Sequence, residues 1–594
     1  MAFDGFVMST VKEELTDKLL AGRIDKIYQP NADLLILHIR QRSGNYKLVI
    51  STHAYNCRIH LTSVNFPNPL NPPIFCMVLR KHLEGGKIIA LQQQNLERQL
   101  IITIEALDEL GQLKAKQLVI EIMGKHSNVI LLDKEKNTII DGMKRYTHAV
   151  SRHREVLPGR TYIEPPNQGK INPLELTEDK FRSVLLNNEY NIKVQKALVN
   201  NFSGFSSLLA REVVFRAGLE QDVVLDVIGD YDLTRLWQGL QQITTLVSTK
   251  QSKPTLYYDH EGPKDFSFLN LEHLANVAAV KFPSMSEALD AFFKEKQEKE
   301  DLAKEKHTLA KVLQKELEKN HKKRLLQEET IALAKKAEPF RIYGELLTAN
   351  IYRIAKGEKV ITVENFYHPE NKKVQIQVNP ELSPVQNAQA YFKKYNKAKA
   401  GAVKAQEQLN FTLAEINYLD SILQSVEQTT QLAELAEIKN EMIAANYISP
   451  PNLKPGKKSK IEKQQKIEPL VFTSSEGFHI YIGKNNKQND WLTTKFAKDD
   501  DLWLHVKDLP GSHVIIKTEG KKVPDQTLLE AAHLAAYYSK GQHSSQVPVD
   551  YTLKKYVKKP AGAKPGMVIF EHNQTIYITP TEDLISKLTN NSNN

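Results

Sequence analysis

The feature that most constrains this sequence is a pair of long helical stretches between residues 286 and about 447, each free of proline in its periodic part. Both are rich in lysine, glutamate, alanine, leucine and glutamine, which are good helix formers. Apolar residues recur at helical spacing in both stretches: Leu302, Leu309, Leu313, Leu317 and Leu325, then Tyr391, Tyr395, Val403, Leu409, Leu413, Ile416, Leu419, Leu423 and Val426. This narrow stripe predicts an antiparallel coiled-coil hairpin, with arms roughly 60 to 80 Å long at about 1.5 Å per residue. We interpret the hairpin as a device for reach between two binding ends; a spacer without a partner is the alternative.

The bulk composition indicates a folded, multidomain protein. A chain of 594 residues is long enough for several domains, and its 41% hydrophobic and 25% charged residues are ordinary for such a protein. The formal charge of +10 permits a polyanionic partner without requiring one. Cys57 and Cys76 do not form a CxxC pair, which argues against a structural zinc site or a disulfide framework. We expect no metal and no cofactor.

The N-terminal sequence argues against export. Acidic residues stand where a signal peptide needs an apolar core, and no apolar run approaches the length that spans a membrane. We therefore expect a cytoplasmic protein without a membrane partner.

Turn signals and changes of hydrophobic period divide the chain into five regions. These are an α+β domain at 1–165, a small helical region with connecting strands at 173–282, the paired arms at 286–447 with a tip module at about 340–384, a basic linker at 449–468, and a second α+β domain at 470–582. The first domain should contain helices at 8–20 and 74–83. Its short strands are expected to pair antiparallel at 24–28, 34–40, 47–51, 58–61, 87–93, 100–106, 117–122, 128–132 and 138–141.

Several ordered motifs resemble one family. They are Phe3-Asp4-Gly5, RKHLEGG at 80–86, IEIMGKHSN at 120–128, GKNNKQNDWLTTK at 483–495, DLWLH at 501–505, LPGSHVII at 509–516 and KKYVKKPAGAKPG at 554–566. Together they resemble the NFACT family of ribosome quality-control factors, in its bacterial branch, over essentially the whole chain. Some bacterial members were first described as fibronectin-binding proteins.

The resemblance carries expectations about the fold. The family's N-terminal domain is similar to that of the Fpg-type DNA glycosylases, and residues 201–218 resemble a degenerate helix-hairpin-helix. Those glycosylases attack with an N-terminal proline beside a glutamate. Ala2 and Phe3 stand there in this chain, so the nucleophile for repair chemistry is missing.

The resemblance also implies a tRNA-binding segment. Glu97 and Arg98 match a family Asp-Arg pair that recognises tRNA, with glutamate in place of aspartate. An arginine fork can grip a phosphate or a base edge, and a carboxylate can accept from an exocyclic amine. Glu121, Ile122 and Met123 match a second tRNA-facing segment. The alternatives are a surface turn with an incidental ion pair and a plain strand that ends before Gly124.

The C-terminal domain shows an RNA-binding pattern from its residues as well. Gln488, Asn489 and Asp490, expected on a turn, can read base edges or tie the turn to its own backbone. Trp503, His505 and His513 lie near the Gly511-Ser512 turn and can stack on bases. Lys554, Lys555, Lys558 and Lys559, expected on a strand, suit phosphate contact. Trp503 is equally well placed as a core residue, and Asp501, His505 and His513 lack a metal-ligand spacing.

The resemblance implies a function in ribosome quality control. The chain would bind large (50S) subunits that still carry peptidyl-tRNA, through contacts with rRNA and stalk-base proteins. It would recruit alanyl-tRNA for template-free alanine tailing, and the tail would mark the peptide for degradation. It would not be an enzyme and would have no catalytic residues, because peptide transfer belongs to the ribosome. A small S4-like RNA-binding partner is also implied. A fibronectin-binding surface adhesin is the alternative function, and a repair enzyme is disfavoured.

Overall fold

The computed structural model describes residues 3–108, 110–149, 151–166, 168–189, 191–450 and 468–592. The fold is mixed α+β and divides into two compact units, Met1–Lys299 and Glu300–Asn594. The basic linker expected at 449–468 lies outside the described residues from 451 to 467. Within the described ranges, no helix has both the length and the apolar character needed to cross a bilayer.

The first unit is built on an antiparallel sheet. Its strands are β1 (Arg23–Asn31), β2 (Leu34–Gln41), β3 (Gly44–Ser51), β4 (Arg58–Leu61), β5 (Lys87–Gln93), β6 (Gln99–Leu107), β7 (Leu113–Glu121), β8 (Asn128–Asp133) and β9 (Thr138–Gly142). The nine strands lie in the order β4-β3-β2-β1-β5-β6-β7-β8-β9. The predicted strands of this domain are confirmed. Most strands that follow one another in sequence lie side by side, because short turns connect them.

Helices α1 (Gly5–Leu19) and α2 (Ile74–Leu83) contribute to one hydrophobic core with this sheet. Helix α2 has the predicted bounds. Helix α1 begins at Gly5, earlier than the expected residue 8, because the Asp4 side chain caps it by accepting from the N–H groups of Phe6 and Val7 at 3.1 and 2.9 Å.

The remainder of the first unit is a set of short helices and a small sheet. The helices are α3 (Glu178–Leu186), α4 (Val194–Asn201), α5 (Ser207–Arg216) and α6 (Asp230–Ser248), and the strands are β10 (Thr255–Asp259), β11 (Gly262–Ser267) and β12 (Ala278–Lys281), in the order β11-β10-β12. Phenylalanine rings join this part of the unit to α1: Phe6 lies 5.2 Å from Phe205, which precedes α5, and 5.8 Å from Phe268, which follows β11, between ring centroids.

A long helix, α7 (Met285–Lys335), contains the boundary between the two units. It is followed by α8 (Glu338–Ala349), β13 (Val360–Glu364), β14 (Lys373–Gln377), α9 (Pro384–Gln428) and α10 (Leu432–Ala444). Helices α7 and α9 contain 51 and 45 residues, about 76 and 68 Å at about 1.5 Å per residue. The second predicted stretch is interrupted at 429–431, so that α10 is a separate helix.

Within the second unit, α7 and α9 pair antiparallel. Lys306 Nζ donates to the carbonyl of Glu427 at 2.8 Å, and farther along α7 the charge of Lys323 acts on Glu415. The predicted apolar stripe is buried at Leu309, Leu313 and Leu317 against Ile416, Leu419, Ile422 and Val426. Farther along, Leu325 and Val403 are exposed, so the stripe is closed over only part of its length.

The C-terminal domain is a sheet with helices packed on it. Its elements are β15 (Leu470–Thr473), β16 (His479–Ile482), α11 (Asn486–Trp491), β17 (Leu502–Val506), β18 (Val514–Ile516), α12 (Asp525–Tyr537), β19 (Val547–Leu553), β20 (Val557–Lys558), β21 (Ile569–Phe570), β22 (Gln574–Ile578) and α13 (Glu582–Ser592). Six strands form the sheet β15-β16-β18-β17-β19-β22, and β20 pairs with β21. Alanines and Leu534 of α12 pack against this sheet.

Candidate nucleic-acid interface

The Glu97-Arg98 pair lies on the tight turn between β5 and β6. Asn95 and Leu96 have positive φ angles of 46° and 54°, which turn the chain sharply. Leu96 is buried and anchors the turn in the core, whereas Glu97 is exposed and Arg98 is half-buried. The Ile122 N–H donates to the Arg98 carbonyl at 2.8 Å, which fixes the turn to the end of β7. The turn therefore presents two charged side chains from a rigid base.

A cavity of about 240 Å³ lies beside this turn. It is lined by the turn, by Asp4 and Gly5 at the start of α1, by Lys170, and by residues 203–207 at the start of α5. Ser206 Oγ donates to the Asp4 carboxylate at 2.6 Å and accepts from the Leu209 N–H at 3.3 Å, so the caps of two helices are joined. Arg98 and Lys170 at the rim can contact an anionic group, while the Asp4 carboxylate and the Ser206 hydroxyl already cap the two helices.

Close backbone packing holds this cavity together. A Cβ on Gly5 would lie 1.8 Å from the Leu96 carbonyl oxygen and 2.5 Å from the Gly204 Cα. Gly204 itself has a φ of +82°, in the left-handed region that favours glycine. The Gly5 N–H donates to the Gly204 carbonyl at 3.0 Å. The start of α1, the β5–β6 turn and the start of α5 thus touch through their main chains.

The charges at the cavity perturb one another. Burial raises the pKa of Asp4 to about 6, while the hydrogen bond from Ser206 and the charge of Arg98 act in the opposite direction. Burial also lowers the pKa of Lys170, with the charge of Glu97 opposing that change. The cavity has two carboxylates, Asp4 and Glu97, and two basic side chains, Arg98 and Lys170. It therefore suits a partner that has both hydrogen-bond donors and acceptors.

Glu121 is placed differently from the sequence expectation, because it is fully buried. Both oxygens of its carboxylate accept from Arg154, at 2.7 and 2.5 Å, and Oε1 also accepts from the Tyr162 hydroxyl at 2.9 Å. Ile122 is buried as well, and Met123 is half-buried. The expectation of a tRNA-facing segment is therefore corrected for Glu121 and Ile122: in this structure they support the Arg98 turn from behind.

In the C-terminal domain, Gln488, Asn489 and Asp490 lie on helix α11 and not on the expected turn. Gln488 and Asn489 are buried. Gln488 Nε2 donates to Glu437 of α10 at 3.1 Å, and Asn489 Oδ1 accepts from the His513 N–H at 3.0 Å. The expectation that these amides read base edges is corrected for this conformation, because protein acceptors and donors occupy them.

Helix α11 and the two residues before it dock on α10 through further polar contacts. Asn485 Nδ2 donates to Glu437 at 2.8 Å, and Asn486 Nδ2 donates to Glu441 at 3.1 Å. Lys484 forms an ion pair with Glu434 at 2.7 Å. Burial raises the pKa of Glu441, with hydrogen bonds from Tyr418 and Asn486 opposing that rise. Acidic residues of the arm thus hold the surface that the sequence suggested for RNA.

The aromatic and histidine residues form an interior cluster. Trp503 is fully buried and stacks on His505 at 5.8 Å between ring centroids, so the alternative of a core residue is the one the structure shows. His513 is buried, with Nδ1 2.7 Å from Thr493 Oγ1, and burial holds its pKa well below its usual value. Gly511 is half-buried, and Ser512 is buried. Direct stacking of a base on Trp503 or His513 is not available in this conformation.

The predicted lysines differ in exposure. Lys555 and Lys558 are exposed, Lys554 forms an ion pair with Asp499 at 3.0 Å, and Lys559 forms one with Asp490 at 2.8 Å. The run is a 3₁₀ turn, Lys554–Tyr556, followed by the two residues of β20, and not the expected continuous strand. Their contact with RNA phosphates stays a prediction.

Three residues of the cavity were missed from the sequence as functional positions: Asp4, Lys170 and Ser206. Asp4 and Ser206 each stand just before a helix, and an acid or a serine at such a position is a helix-cap signal. No sequence signal joins residues 202 positions apart, so their contact could not be foreseen. Among the described residues, no group of three or more His, Cys, Asp or Glu side chains could hold a metal ion.

Comparisons with known proteins cover nearly the whole chain. The family model for the NFACT N-terminal and middle domains matches residues 4–461, and that for the NFACT protein RNA binding domain matches residues 468–572. The chain is 40% identical over 593 residues to the Rqc2 homolog RqcH of Bacillus subtilis (strain 168), covering 99% of this chain and 100% of that relative.

Two further matches are a second full-length relative and a solved structure that covers about half of the chain. The Rqc2 homolog RqcH of Streptococcus suis (strain 05ZYH33) is 36% identical over 588 residues, covering 99% of this chain and 100% of that relative. The solved structure of the fibrinogen binding protein from Staphylococcus aureus is similar at 32% identity with a TM-score of 0.42, covering 49% of this chain and 99% of that one.

Proposed function

The chain belongs to the NFACT family, and on that premise we propose how it acts in ribosome quality control. It binds large ribosomal subunits that still carry a peptidyl-tRNA. It then recruits alanyl-tRNA for template-free addition of alanine to the stalled peptide, and the tail marks that peptide for degradation. This work takes place in the cytoplasm.

The observation that carries the proposal is the joined geometry at the Glu97-Arg98 turn. The turn is fixed to the core by Leu96, backed by Glu121, and placed beside a cavity with Arg98 and Lys170 at its rim. Such a rigid charged projection suits an RNA element, because an arginine can contact a phosphate or a base edge while the neighbouring carboxylate accepts from a base amine. Glu97 takes the place of the family aspartate with one more methylene.

We propose that the chain itself breaks and forms no covalent bond. Its contribution is to hold an aminoacyl-tRNA and a subunit in one geometry, which lowers the entropic cost of peptide transfer by the ribosome. Ser206, whose hydroxyl donates to Asp4 in the cavity, caps helix α5. Its hydroxyl therefore has a structural role, which supports the absence of covalent chemistry.

The finer architecture is assigned in the same way. We propose that the first domain is glycosylase-like without glycosylase chemistry, and that α4, α5 and the turn between them act as a helix-hairpin-helix-like unit. The antiparallel arms provide reach, and the module of α8, β13 and β14 contacts the stalk base. A small S4-like RNA-binding protein is a further partner in this scheme.

A fibronectin-binding adhesin is not favoured. The two relatives described above, which match over the full length, carry the RqcH name.

The proposal is tested by sedimentation of the tagged full-length protein with ribosomal particles from cells in which translation is stalled. We expect co-migration with free large subunits, and depletion from 70S ribosomes. Migration only at the top of the gradient, with no subunit-associated fraction, would contradict it. Fibronectin binding by the same preparation, without subunit association, would favour the adhesin.

A further inference from the structure

Three loops of the C-terminal domain meet at the buried residue Asp501. Its Oδ2 accepts from the Lys498 N–H at 2.7 Å and from Lys517 Nζ at 2.6 Å, and Oδ1 accepts from the Thr518 N–H at 3.1 Å. Its carbonyl accepts from the Lys554 N–H at 2.9 Å. A single acid therefore fixes the segments 495–501, 517–522 and 554–559, which we call the lysine loops.

The lysine loops carry a strong positive charge. They contain nine lysines and four acids, so the excess is basic even after every acid is counted. Lys517, Lys554 and Lys559 are engaged in ion pairs with Asp501, Asp499 and Asp490. The exposed members of the set are Lys495, Lys498, Lys521, Lys522, Lys555 and Lys558. Such a patch is typical of contact with a phosphate backbone.

An aromatic pair lies in the same place. The rings of Tyr556 and His572 are 4.6 Å apart between centroids, and Lys555 Nζ lies 5.0 Å from the Tyr556 ring centre. His572 is exposed and Tyr556 is half-buried. The Glu571 N–H donates to the Tyr556 carbonyl at 3.3 Å, which holds the two rings together. Aromatic rings among lysines are the pattern of single-stranded nucleic-acid binding, where unstacked bases lie on the rings.

The other polar face of this domain is already occupied. Helix α11 gives its amides to Glu437 and Glu441 of the arm, and Lys484 pairs with Glu434. RNA could reach that face only by displacing these acids. The lysine loops, by contrast, present exposed side chains.

We propose that the lysine loops and the Tyr556–His572 pair bind a single-stranded segment of RNA. The exposed lysines contact its phosphates, and an unstacked base lies on the aromatic pair. Asp501 is a positioning residue that keeps the three loops in one surface. This inference rests on the proposed function, which makes RNA the partner. It adds the surface that binds the RNA and the single-stranded form of that RNA. Lysines alone would accept any phosphate backbone, whereas the ring pair selects a strand with free bases.

The test measures binding of the full-length protein to a fluorescent twelve-nucleotide oligouridine and to a duplex RNA of the same length, by anisotropy at several salt concentrations. K521E and K555E should each weaken binding to both RNAs by about tenfold and lower the salt slope by about 1. Y556L should weaken oligouridine binding by about tenfold and leave duplex binding unchanged, and Y556F should restore it. K507E is the matched control, because Lys507 is exposed at the opposite end of β17 from Asp501.

Oligouridine binding by K521E, K555E and Y556L equal to that of K507E would overturn the proposal. So would an equal loss of single-stranded and duplex binding in Y556L, which would remove the role of the rings. Sedimentation of the same proteins with large subunits keeps the two ideas separate. If the wild-type protein associates with subunits but the lysine-loop variants bind RNA as well as the wild type does, only the proposed RNA-binding surface is contradicted. If the wild-type protein does not associate with subunits, the proposed function is contradicted.

Discussion

Arg154 holds the Glu121 carboxylate through two parallel hydrogen bonds, at 2.7 and 2.5 Å, inside the first unit. The Tyr162 hydroxyl donates to the same carboxylate and accepts from Gln99 Nε2 at 2.7 Å. Gln99 directly follows Arg98 in the chain. A buried polar network thus runs from the 154–162 segment to the residue that supports the charged turn.

This network predicts a division between stability and binding. Glu121→Gln leaves the Arg154 charge buried without a matching carboxylate, so it should lower the free energy of unfolding of the first unit by about 3 to 5 kcal/mol. Glu97→Gln changes an exposed side chain and should alter that free energy by less than about 0.5 kcal/mol while weakening tRNA binding. Urea-dependent pulse proteolysis of the first unit and tRNA filter binding measure the two effects. Equal stabilities for the two variants would contradict the assignment of Glu121 as a buried support.

Gly5 provides a second prediction, because its Cβ position is already filled. Gly5→Ala must push apart the Leu96 carbonyl and Gly204, at 1.8 and 2.5 Å, and should lower the stability of the first unit and abolish tRNA binding. Gly401→Ala is the matched control on α9, where a Cβ meets nothing within 4 Å. It should stabilise the helix by about 0.5 to 1 kcal/mol. Wild-type stability and binding in Gly5→Ala would show that the start of α1 does not pack as described.

The raised pKa of Asp4 predicts a pH dependence. Because burial raises the pKa from its ordinary value of 3.8 to about 6, ionised Asp4 costs stability at neutral pH. That cost is removed as the pH falls through 6 towards 3.8. Asp4→Asn keeps a helix-capping side chain without the charge, so wild type should gain about 2 kcal/mol relative to Asp4→Asn between pH 7 and pH 4. Pulse proteolysis across this range gives the difference, and a flat or opposite trend would contradict the buried position of Asp4.

The docking of α11 on the arm leads to a fourth prediction. Glu437 accepts hydrogen bonds from the side-chain amides of Asn485 and Gln488 at 2.8 and 3.1 Å. Glu437→Lys replaces this acceptor with a donor that faces two other donors, so it should release α11. Amide hydrogen exchange of α11 should become at least about tenfold faster. Glu407→Lys is the control, because Glu407 is an exposed acid of α9. Protection of α11 that is the same in both variants would show that the carboxylate does not hold the helix.

The sequence predicted most of the local structure and little of the long-range contact. Alternating apolar residues placed the strands of the first sheet, helix α2 was found with its observed bounds, and ordered motifs identified the family, as the comparisons confirm. Helix α11 was missed because NNKQND is a polar run that is typical of a turn. Its burial depends on Glu437, about fifty residues earlier in the chain.

The same reason explains the misplaced site residues. Glu121 looks like an exposed strand-end acid until Arg154 and Tyr162 are brought to it by the fold. Trp503 has no local feature that separates a core residue from a stacking platform. Asp501 lies in an acidic run that is typical of a surface loop, yet its carboxylate and its carbonyl accept hydrogen bonds from three segments. Such roles are set by tertiary partners and are absent from a local pattern.

The central claim, that the Arg98 turn brings a tRNA to the large subunit, is tested most directly by sequencing the RNA that co-purifies with the tagged protein. We predict strong enrichment of one tRNA, that for alanine, together with large-subunit rRNA. Arg98→Ala should lose the tRNA and keep the rRNA, whereas Arg42→Ala, which changes an exposed arginine in the β2–β3 turn of the same sheet, should lose neither. Unchanged tRNA recovery with Arg98→Ala would contradict the account.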